Sequence, residues 1–317
     1  MSNTQDTNAD EGKYLAEIPV DPQTVDGSER LDQIVAAAAD ISRTQAAAWI
    51  KAGHVSIDGK TTSKAGRPQP GVTVLVRVPA PRSYEEELMM PLPVLYEDDD
   101  LIVIDKPVGV AAHPSPGWVG PTVSGQLVAQ GVRISTSGSP ERQGIVHRLD
   151  VGTTGCMAVA KSERAYTGLQ AAFHDRTPTK IYHAVVQGLP DPLKGTIDAP
   201  IARHPQASWR FAVTEDGRRA VTHYEVVEAF GRASLVEVHL ETGRTHQIRV
   251  HFSALRHTLV GDQQYGADPK VAAELGLTRQ WLHAKHLGFD HPVTGERIDI
   301  DSPYPVDLVG ALEILRG

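Results

Sequence analysis

The sequence has few features that could anchor it in a membrane or cross-link it covalently. Cys156 is its only cysteine among 317 residues, so the chain can form neither an internal disulfide nor a cysteine-rich zinc site. No segment approaches the roughly 18 consecutive apolar residues of a membrane span, and residues 1–13 resemble neither a secretory signal nor a transit peptide. We therefore expect a cytoplasmic protein without a membrane partner, and we expect it to be a monomer.

The chain also lacks the excess of basic residues that is typical of nucleic-acid-binding proteins, since its formal net charge is −8. The acidic residues are concentrated, however, in residues 1–29 and in residues 80–100, each with seven acidic residues and one basic residue. Residues 30–79 carry seven basic and three acidic residues. This distribution leaves a basic segment that can bind phosphate in spite of the negative total charge.

Changes in composition and periodicity divide the chain into four parts. Residues 1–27 are polar, acidic and aperiodic, which predicts a disordered arm. Residues 28–79 predict a small α/β module of two short helices and two strands, the first of which turns at Asp58–Gly59. Residues 80–93 predict a linker, and residues 94–317 predict a larger domain.

The larger domain mixes strands and helices without a regular βαβ repeat. Ser162 is a candidate N-cap for a helix that continues to Phe173. Apolar runs predict strands at residues 101–105, 144–150, 155–161, 180–187 and 235–240. We expect an α+β protein whose larger domain has a mixed, mostly antiparallel sheet flanked by helices.

The strongest local signal is GIVHRLDVGTTG, residues 144–155, where an apolar run leads directly to Asp150 in a loop of glycine and threonine. Such a loop keeps an acid exposed and in a fixed position, although an aspartate at a strand end is more often a turn-former. The D-x-G-T-T spelling also resembles the phosphate-binding turn of actin-like and sugar-kinase ATPases. No second D-x-G turn follows at a suitable distance, which argues against that alternative.

A second signal is ETGRTHQIRVH, residues 241–251. Thr245 predicts the cap of a helix on which His246 and Arg249 share a face. A guanidinium at this position can pair with a carboxylate, although a surface ion pair is the simpler interpretation. His246 and His251 are five residues apart, a poor spacing for two ligands of one metal ion on a helix, so we expect no metal.

Residues 28–79 contain S-x-R-L-D-x-x-[IV], followed by S-R-T-x-A-x-x-x-I-K-x-G-x-V-x-[IV]-[DN]-G-K. This pattern resembles the small RNA-binding fold of ribosomal protein S-four. The resemblance implies that Arg43, Lys51 and Lys60, on the second helix and at the glycine turn, contact RNA phosphates. A solvated charged face is the alternative on composition alone.

Four motifs follow one another in the larger domain: D-K-P-x-G-x-x-x-H-P, H-R-L-D-x-x-T-T-G, K-x-Y-x-A-x-V and T-G-R-T-H-Q-I-R-V-H. Together they resemble the RluA and RluD type of pseudouridine synthase, which modifies large-subunit ribosomal RNA. The resemblance spans residues 94–305 and implies catalytic roles for Asp150, Tyr182 and Arg249. One departure is Val151-Gly152, where many relatives have Lys-Asp, and it puts RNA contacts there in doubt.

The reaction implied by this resemblance breaks the glycosidic bond at nitrogen one, rotates the base and joins the sugar to carbon five. It neither oxidises nor adds anything, so we expect no cofactor, and one carboxylate can act as nucleophile or base. Tyr182 can stack on the uracil, and its hydroxyl can handle the proton lost from carbon five. The substrate that the resemblance implies is structured RNA, from which the uridine must be flipped out. Arg148 is implied to brace the flipped substrate, and the further RNA contacts that we expect are His147, Lys180, Arg244 and His246.

The main alternative from another class is a non-catalytic RNA-binding or ribosome-assembly factor. The presence of Asp150, Tyr182 and Arg249 argues against it. A base deaminase would need metal ligands, and the sequence has no suitable cluster of cysteine and histidine. Three possibilities for Asp150 stay open: attack on the sugar, attack on the base, and proton removal.

Overall fold

The structure, a computed structural model, describes residues 14–39, 41, 43–79, 90–115 and 118–317. Two compact units are present, a smaller one within Met1–Glu87 and Ser115–Val119 and a larger one formed by Leu88–Pro114 and Gly120–Gly317. In the described ranges, no helix has both the length and the apolar character that a membrane span requires.

The smaller unit packs two helices on one antiparallel sheet. Its elements are β1 (Tyr14–Val20), α1 (Leu31–Ala39), α2 (Arg43–Lys51), β2 (Val55–Ile57), β3 (Lys60–Thr61) and β4 (Val74–Pro79), with a short 3-10 helix at Pro22–Thr24. The strand order is β1-β4-β2-β3. Leu31 and Ile50 from the helices and Val74 and Val76 from the sheet form the buried core. The predicted pair of helices is therefore confirmed.

The predicted disordered arm is wrong for residues 14–27. β1 pairs with β4 from Tyr14↔Pro79 to Val20↔Val74, and Val25 is buried in the core of the unit. As an edge strand, β1 has one hydrogen-bonded neighbour and so tolerates Pro19, which has no N–H to donate. The proline and the acidic residues obscured the strand pattern. Residues 1–13 lie outside the described residues.

The larger unit is dominated by one sheet. Its strands are β5 (Val94–Glu97), β6 (Leu101–Lys106), β7 (Thr154–Ala160), β8 (Thr179–Gln187), β9 (Lys194–Asp198), β10 (Ile201–His204), β11 (Ala207–Val213), β12 (Val221–Ala229), β13 (Ala233–Leu240), β14 (Leu282–Asp290) and β15 (Arg297–Asp301). Its helices are α3 (Val123–Ala129), α4 (Glu163–Asp175), α5 (Gln247–Ala254), α6 (Pro269–Glu274) and α7 (Val306–Arg316), with 3-10 helices at Pro140–Arg142 and Gln263–Tyr265.

The strand order in the large sheet is β5-β6-β7-β14-β8-β13-β12-β9, with β15 paired to β14. Only β7 and β14 are parallel among the paired strands that the structure describes, and this contact covers just Thr154 and Gly155 on β7. β10 and β11 form a separate hairpin. The predicted α+β class with a mixed, mostly antiparallel sheet is confirmed.

β7 lies inside the sheet and is buried on both faces. Met157 and Val159 pack in the core cluster that also contains residues of α3 and α5. Cys156, Ala158 and Ala160 face the other cluster, which includes residues of α4. Alternating positions of one strand thus contact two helical layers. The fully buried strand provides a rigid support for the loop that precedes it, residues 150–153.

Two sequence-based expectations for this unit need correction. Of the predicted linker 80–93, residues 80–89 lie outside the described part, and the rest belongs to the larger unit, because Leu92 is buried in its core. The predicted strand 144–150 does not form, and Ile145 makes a single bridge to Val159. Beyond this bridge, a side chain replaces the backbone partner that a strand would supply, because the Ala158 N–H donates to His147 Nε2 at 2.9 Å.

Candidate active site

Asp150 begins a tight turn that leads into β7. The Thr153 N–H donates to the Asp150 carbonyl at 3.0 Å, and the Gly109 N–H donates to the Val151 carbonyl at 2.9 Å. Gly152 packs against Gln280 so closely that a Cβ atom there would lie 2.6 Å from Oε1 of that side chain. The carboxylate therefore projects from a loop whose backbone is fixed on both sides.

Two side chains of the ETGRTHQIRVH segment face the two oxygens of Asp150. Arg249 Nη1 lies 3.4 Å from Oδ2, and His246 Nε2 lies 3.9 Å from Oδ1. The side chain of Asp150 is 16% exposed, so it is accessible from one side. The structure thus brings together three of the residues that the sequence analysis selected from distant motifs.

Arg249 is held mainly by a second carboxylate. Its Nε and Nη2 donate to Asp262 at 2.6 and 2.9 Å, and Nη2 also donates to Gln264 Oε1 at 2.6 Å. Burial would lower the pKa of Arg249, but the hydrogen bonds to Asp262 and the charge of Asp150 raise it, so the side chain stays charged. Its guanidinium carbon also lies 4.9 Å from the ring centre of Tyr265.

The anchoring residues Asp262, Gln264 and Tyr265 were missed by the sequence analysis. They belong to GDQQYG, residues 261–266, which includes the 3-10 helix Gln263–Tyr265. Their role depends on tertiary contact with α5, and a local pattern could have suggested only a turn. The glycines at both ends of a polar and aromatic segment were the one available signal.

Tyr182 lies in the middle of β8, between Val238 of β13 and Ala284 of β14. It is 8% exposed. Burial and the charge of Asp150 raise the pKa of its hydroxyl above the usual value, so the phenol is neutral at physiological pH. Tyr182 and Asp150 line the same small cavity of about 80 Å³. Apolar walls and charged or polar groups meet there, including Leu149, Leu240, Ile248, Leu282, His246 and Arg249.

A larger depression of about 490 Å³ adjoins this cavity and shares Arg148, Tyr182 and Arg244 with it. We call it the basic groove, because six cationic side chains line it: Arg142, Arg148, Arg176, Lys180, Arg218 and Arg244. Among the described residues that line the groove, Glu241 is the one acidic residue. Its carboxylate pairs with Arg219 at 3.2 Å. Of the predicted RNA contacts, Arg148, Lys180 and Arg244 thus lie on one surface.

His147 also lines the groove, but its contacts are structural. Its ring stacks on Phe173 with a centroid distance of 4.3 Å, and its Nε2 accepts the Ala158 N–H. Burial, with a smaller contribution from Lys180, lowers the pKa of His147 to about 3. The imidazole is therefore neutral and supports the wall of the groove.

The predicted cap of α5 is shifted by one residue. His246, with a φ of 56°, is the N-cap instead of Thr245, and its side chain makes no capping hydrogen bond. The segment is anchored by the next residue, because Gln247 Nε2 donates to Val221 O and Thr222 Oγ1, each at 2.9 Å. This buried amide fixes the start of α5 against β12.

In the smaller unit, the predicted RNA contacts differ in their surroundings. Lys51 and Lys60 are exposed. Arg43 is 58% exposed at its side chain and pairs with Asp32 at 2.9 Å, which links α2 to α1. Arg43 therefore has a structural ion pair in addition to its exposed surface.

One cluster in the described residues, Asp98, Asp100 and His291, has the spacing of metal ligands. Its atoms are already engaged by the protein. Asp100 accepts two hydrogen bonds from Arg164 at 2.7 and 2.9 Å. His291 Nδ1 accepts backbone N–H groups, so its Nε2 carries the proton and donates to Asp98 at 2.9 Å. The cluster is a hydrogen-bonded network that does not suit a cation.

Comparison with known proteins identifies the family. Residues 29–68 match the S4 domain, and residues 100–254 match the RNA pseudouridylate synthase family. An uncharacterized RNA pseudouridine synthase of Mycobacterium tuberculosis is 57% identical over 291 residues, which cover 91% of this chain and 94% of that protein. The chain belongs to the RNA pseudouridylate synthase family. The synthase is therefore an isomerase that acts on RNA, as the motifs predicted.

Two further relatives agree with this assignment. The ribosomal large subunit pseudouridine synthase D of Pseudomonas aeruginosa is 40% identical over 303 residues, covering 92% of this synthase and 93% of that protein. The solved structure of human RNA pseudouridylate synthase domain containing 4 is 26% identical with a TM-score of 0.56, covering 71% of this synthase and 93% of the human chain. The expected resemblance to the RluD type is confirmed.

Proposed function

We propose that this synthase isomerises specific uridines in structured large-subunit ribosomal RNA, with Asp150 as its nucleophile. The observation that carries the proposal is the position of the Asp150 carboxylate, next to Arg249 and His246 in a cavity that adjoins the basic groove. The name of the Pseudomonas aeruginosa relative supports the choice of ribosomal RNA.

Arg249 orients the Asp150 carboxylate and places a positive charge beside it. The guanidinium is fixed by Asp262, so it has little freedom to move when RNA binds. An ionised carboxylate can attack carbon one of the ribose and displace the base at nitrogen one. After the base turns, carbon five bonds to the same ribose carbon and the bond to the carboxylate breaks. The freed carboxylate then accepts the proton from carbon five, and nitrogen one takes up a proton from water. A cationic neighbour that is already in place costs no reorganisation during the reaction.

Tyr182 is suited to stacking and hydrogen-bond donation. Its raised pKa keeps the hydroxyl protonated, and this argues against the expected role of the resting side chain in taking the proton from carbon five. No hydrogen bond to the Tyr182 hydroxyl is found within the described ranges, so it is available to a bound base. The ring offers a flat apolar surface beside Asp150.

Base flipping explains why a small cavity adjoins a wide basic surface. The groove can hold RNA backbone while a single uridine enters the cavity, at a cost of a few kcal/mol for unstacking. Arg148 is exposed and lines both depressions. It is therefore in position to brace the gap that the flipped uridine leaves. Arg244 and Lys180 contribute positive charge along the same path.

The test is tritium release from carbon five of labelled uridine in a large-subunit ribosomal RNA transcript, with a transfer RNA transcript as comparison. Wild type should release tritium from the ribosomal transcript, and Asp150→Asn should be slower by at least about a thousandfold, because the amide is a poor nucleophile. Asp290→Asn, the same change at an exposed position on β14, should release tritium at the wild-type rate.

Circular dichroism and RNA binding should be the same for all three proteins, so that lost release cannot be attributed to unfolding. Release by Asp150→Asn at the wild-type rate would exclude Asp150 as nucleophile. Tight binding without release by wild type would favour the non-catalytic RNA-binding factor instead. Preference for the transfer RNA transcript would contradict the proposed substrate.

A further inference from the structure

Tyr265 links three elements around the active site. It ends the 3-10 helix that follows Asp262 and is 4% exposed. Its hydroxyl oxygen accepts the Phe211 N–H of β11 at 3.2 Å and lies 2.8 Å from Nδ1 of His246. A single buried hydroxyl thus connects the β10–β11 hairpin to a side chain that faces Asp150.

The hydrogen bonds determine which nitrogen of His246 carries its proton. The Phe211 N–H occupies an acceptor position of the Tyr265 oxygen. Among the described residues, His246 Nδ1 is the one hydrogen-bond acceptor for the Tyr265 hydroxyl proton. Because a buried hydroxyl proton without an acceptor is costly, the phenol donates to Nδ1. The proton of the neutral imidazole is then on Nε2, which lies 3.9 Å from Asp150 Oδ1.

Other contacts keep the imidazole neutral and correctly oriented. Burial lowers the pKa of His246, and the nearby charge of Asp150 opposes this effect only in part. The ring stands at 75° to that of Phe211 and at 88° to that of Tyr265, with both centroid distances at 5.7 Å. The two aromatic side chains therefore restrict the rotation of the imidazole.

We propose that Tyr265 is a positioning residue of the synthase, whose hydroxyl holds His246 in the Nε2–H tautomer and directs that N–H toward Asp150. Arg249 then lies 3.4 Å from one carboxylate oxygen, and the Nε2–H of His246 faces the other from 3.9 Å, so the two side chains favour one orientation of the nucleophile. The ring of Tyr265 also supports Arg249, so one residue organises both partners. The catalytic part of this inference rests on the proposed function of Asp150.

The first test measures the tautomer directly by NMR of the full chain labelled with ¹⁵N-histidine. The His246 signals are assigned by their loss in His246→Asn, since asparagine tolerates the positive φ of this position. Wild type should show the Nε2–H tautomer, and Tyr265→Phe should show a mixture of tautomers. Tyr224→Phe is the matched control, because that buried hydroxyl donates to Pro192 O at 3.0 Å, away from the site.

The second test compares tritium-release kinetics. Tyr265→Phe keeps the ring and should lower kcat about tenfold, because it removes the hydroxyl that fixes the tautomer of His246. The KM for RNA should change by less than about twofold, because Tyr265 does not line the basic groove. Tyr224→Phe should behave as wild type. The double variant Tyr265→Phe/His246→Asn should be no slower than His246→Asn alone, since the hydroxyl acts through the imidazole.

An unchanged tautomer in Tyr265→Phe, or losses that multiply in the double variant, would overturn the inference. A loss confined to stability, with kcat intact, would overturn it too. If wild type released no tritium, the proposed function would fail, whereas the NMR comparison would still decide whether Tyr265 controls His246.

Discussion

Lys106 is a fully buried lysine near the Asp150 loop, residues 150–153. Its ammonium donates to the carbonyls of Pro107 and Val110, both at 2.8 Å. The segment that it ties together includes Gly109, whose N–H contacts Val151, the neighbour of Asp150. Burial lowers the pKa of Lys106 to about 7, although the charge of Asp150 acts in the opposite direction. This side chain therefore changes charge near neutral pH.

The lowered pKa predicts a specific dependence of stability on pH. Between about pH 7 and about pH 10 the unfolded chain keeps the proton of this lysine, whereas the folded chain loses it. The contribution of Lys106 to the free energy of unfolding should therefore rise with pH, by up to about 1.4 kcal/mol per unit. Lys106→Met should lack this increase, as measured by urea unfolding at about pH 7, 8 and 9.

Lys194→Met, at an exposed position on β9, should keep the wild-type pH dependence. Stability curves of wild type and Lys106→Met that run parallel over this interval would show that the buried amine does not titrate there. The comparison uses differences between variants, so other titrating groups cancel to first order.

The junction between the Asp150 loop and β7 depends on Gly155. Its φ is 113°, and a Cβ atom at this position would collide with the Ala284 carbonyl on β14. The collision falls in the short parallel contact, where Thr154 and Gly155 pair with His283 and Ala284. Thr154 Oγ1 and His283 Nδ1 add a side-chain hydrogen bond of 2.8 Å across the same strands. A side chain here would force apart the two strands that support the Asp150 loop.

Gly155→Ala should lower the free energy of unfolding by at least about 3 kcal/mol, since it combines a rarely populated backbone conformation with a steric overlap. Gly231→Ala isolates the first effect, because Gly231 has a φ of 77° but open space around it, and it should cost only about 1–2 kcal/mol. Urea unfolding of both variants measures the difference. Equal losses of unfolding free energy in the two variants would show that β14 moves to make room for the added methyl group at no cost in stability.

The sequence predicted well those strands and helices whose residues have the same kind of surroundings along the whole element. β6, β7 and β8 are apolar runs in a buried sheet, and the side chain of Ser162 caps the start of α4 as expected. Prediction failed where one tertiary contact replaced a repeating pattern. The imidazole of His147 ends the pairing of residues 144–150, and β1, which Pro19 and the acidic residues before it made hard to recognise, pairs with the edge of β4.

In the candidate site too, residues in local motifs could be predicted from the sequence, and residues that act through a tertiary contact could not. Asp150 and Arg249 lie in distinctive motifs, and their proximity could be predicted from the family resemblance. Asp262 and Tyr265 act on α5 from a turn that begins 13 residues after Arg249, and nothing in their local pattern indicates this contact. Residues that hold a candidate catalytic group from a separate element can be recognised only when the fold brings the elements together.

The charge of the whole molecule gives a misleading impression of its partner. The net charge is −8, yet the basic groove gathers six cationic side chains from separate segments of the larger unit. The net charge of each segment could not show this groove, because residues 101–317 carry equal numbers of acidic and basic residues. Phosphate binding depends on the local potential, which the arrangement of charges determines more than their sum.

The groove predicts how RNA affinity should depend on salt. Arg142, Arg176 and Arg218 are exposed lining residues that do not contact Asp150. Each arginine that neutralises a phosphate contributes about 0.7–0.9 to the slope of log affinity against log salt concentration. A variant with all three changed to Gln should therefore have a slope shallower by about 2 to 3, measured by filter binding of the ribosomal transcript.

A control variant removes three exposed cations outside the groove, Arg133, Arg256 and Lys270, and so changes the net charge equally. If contact with phosphate matters, the control should keep the wild-type slope. Equal slope changes in the two variants would show that only total charge counts. At saturating RNA, the groove variant should keep a kcat within about threefold of wild type, because its substitutions weaken binding and leave the groups around Asp150 in place.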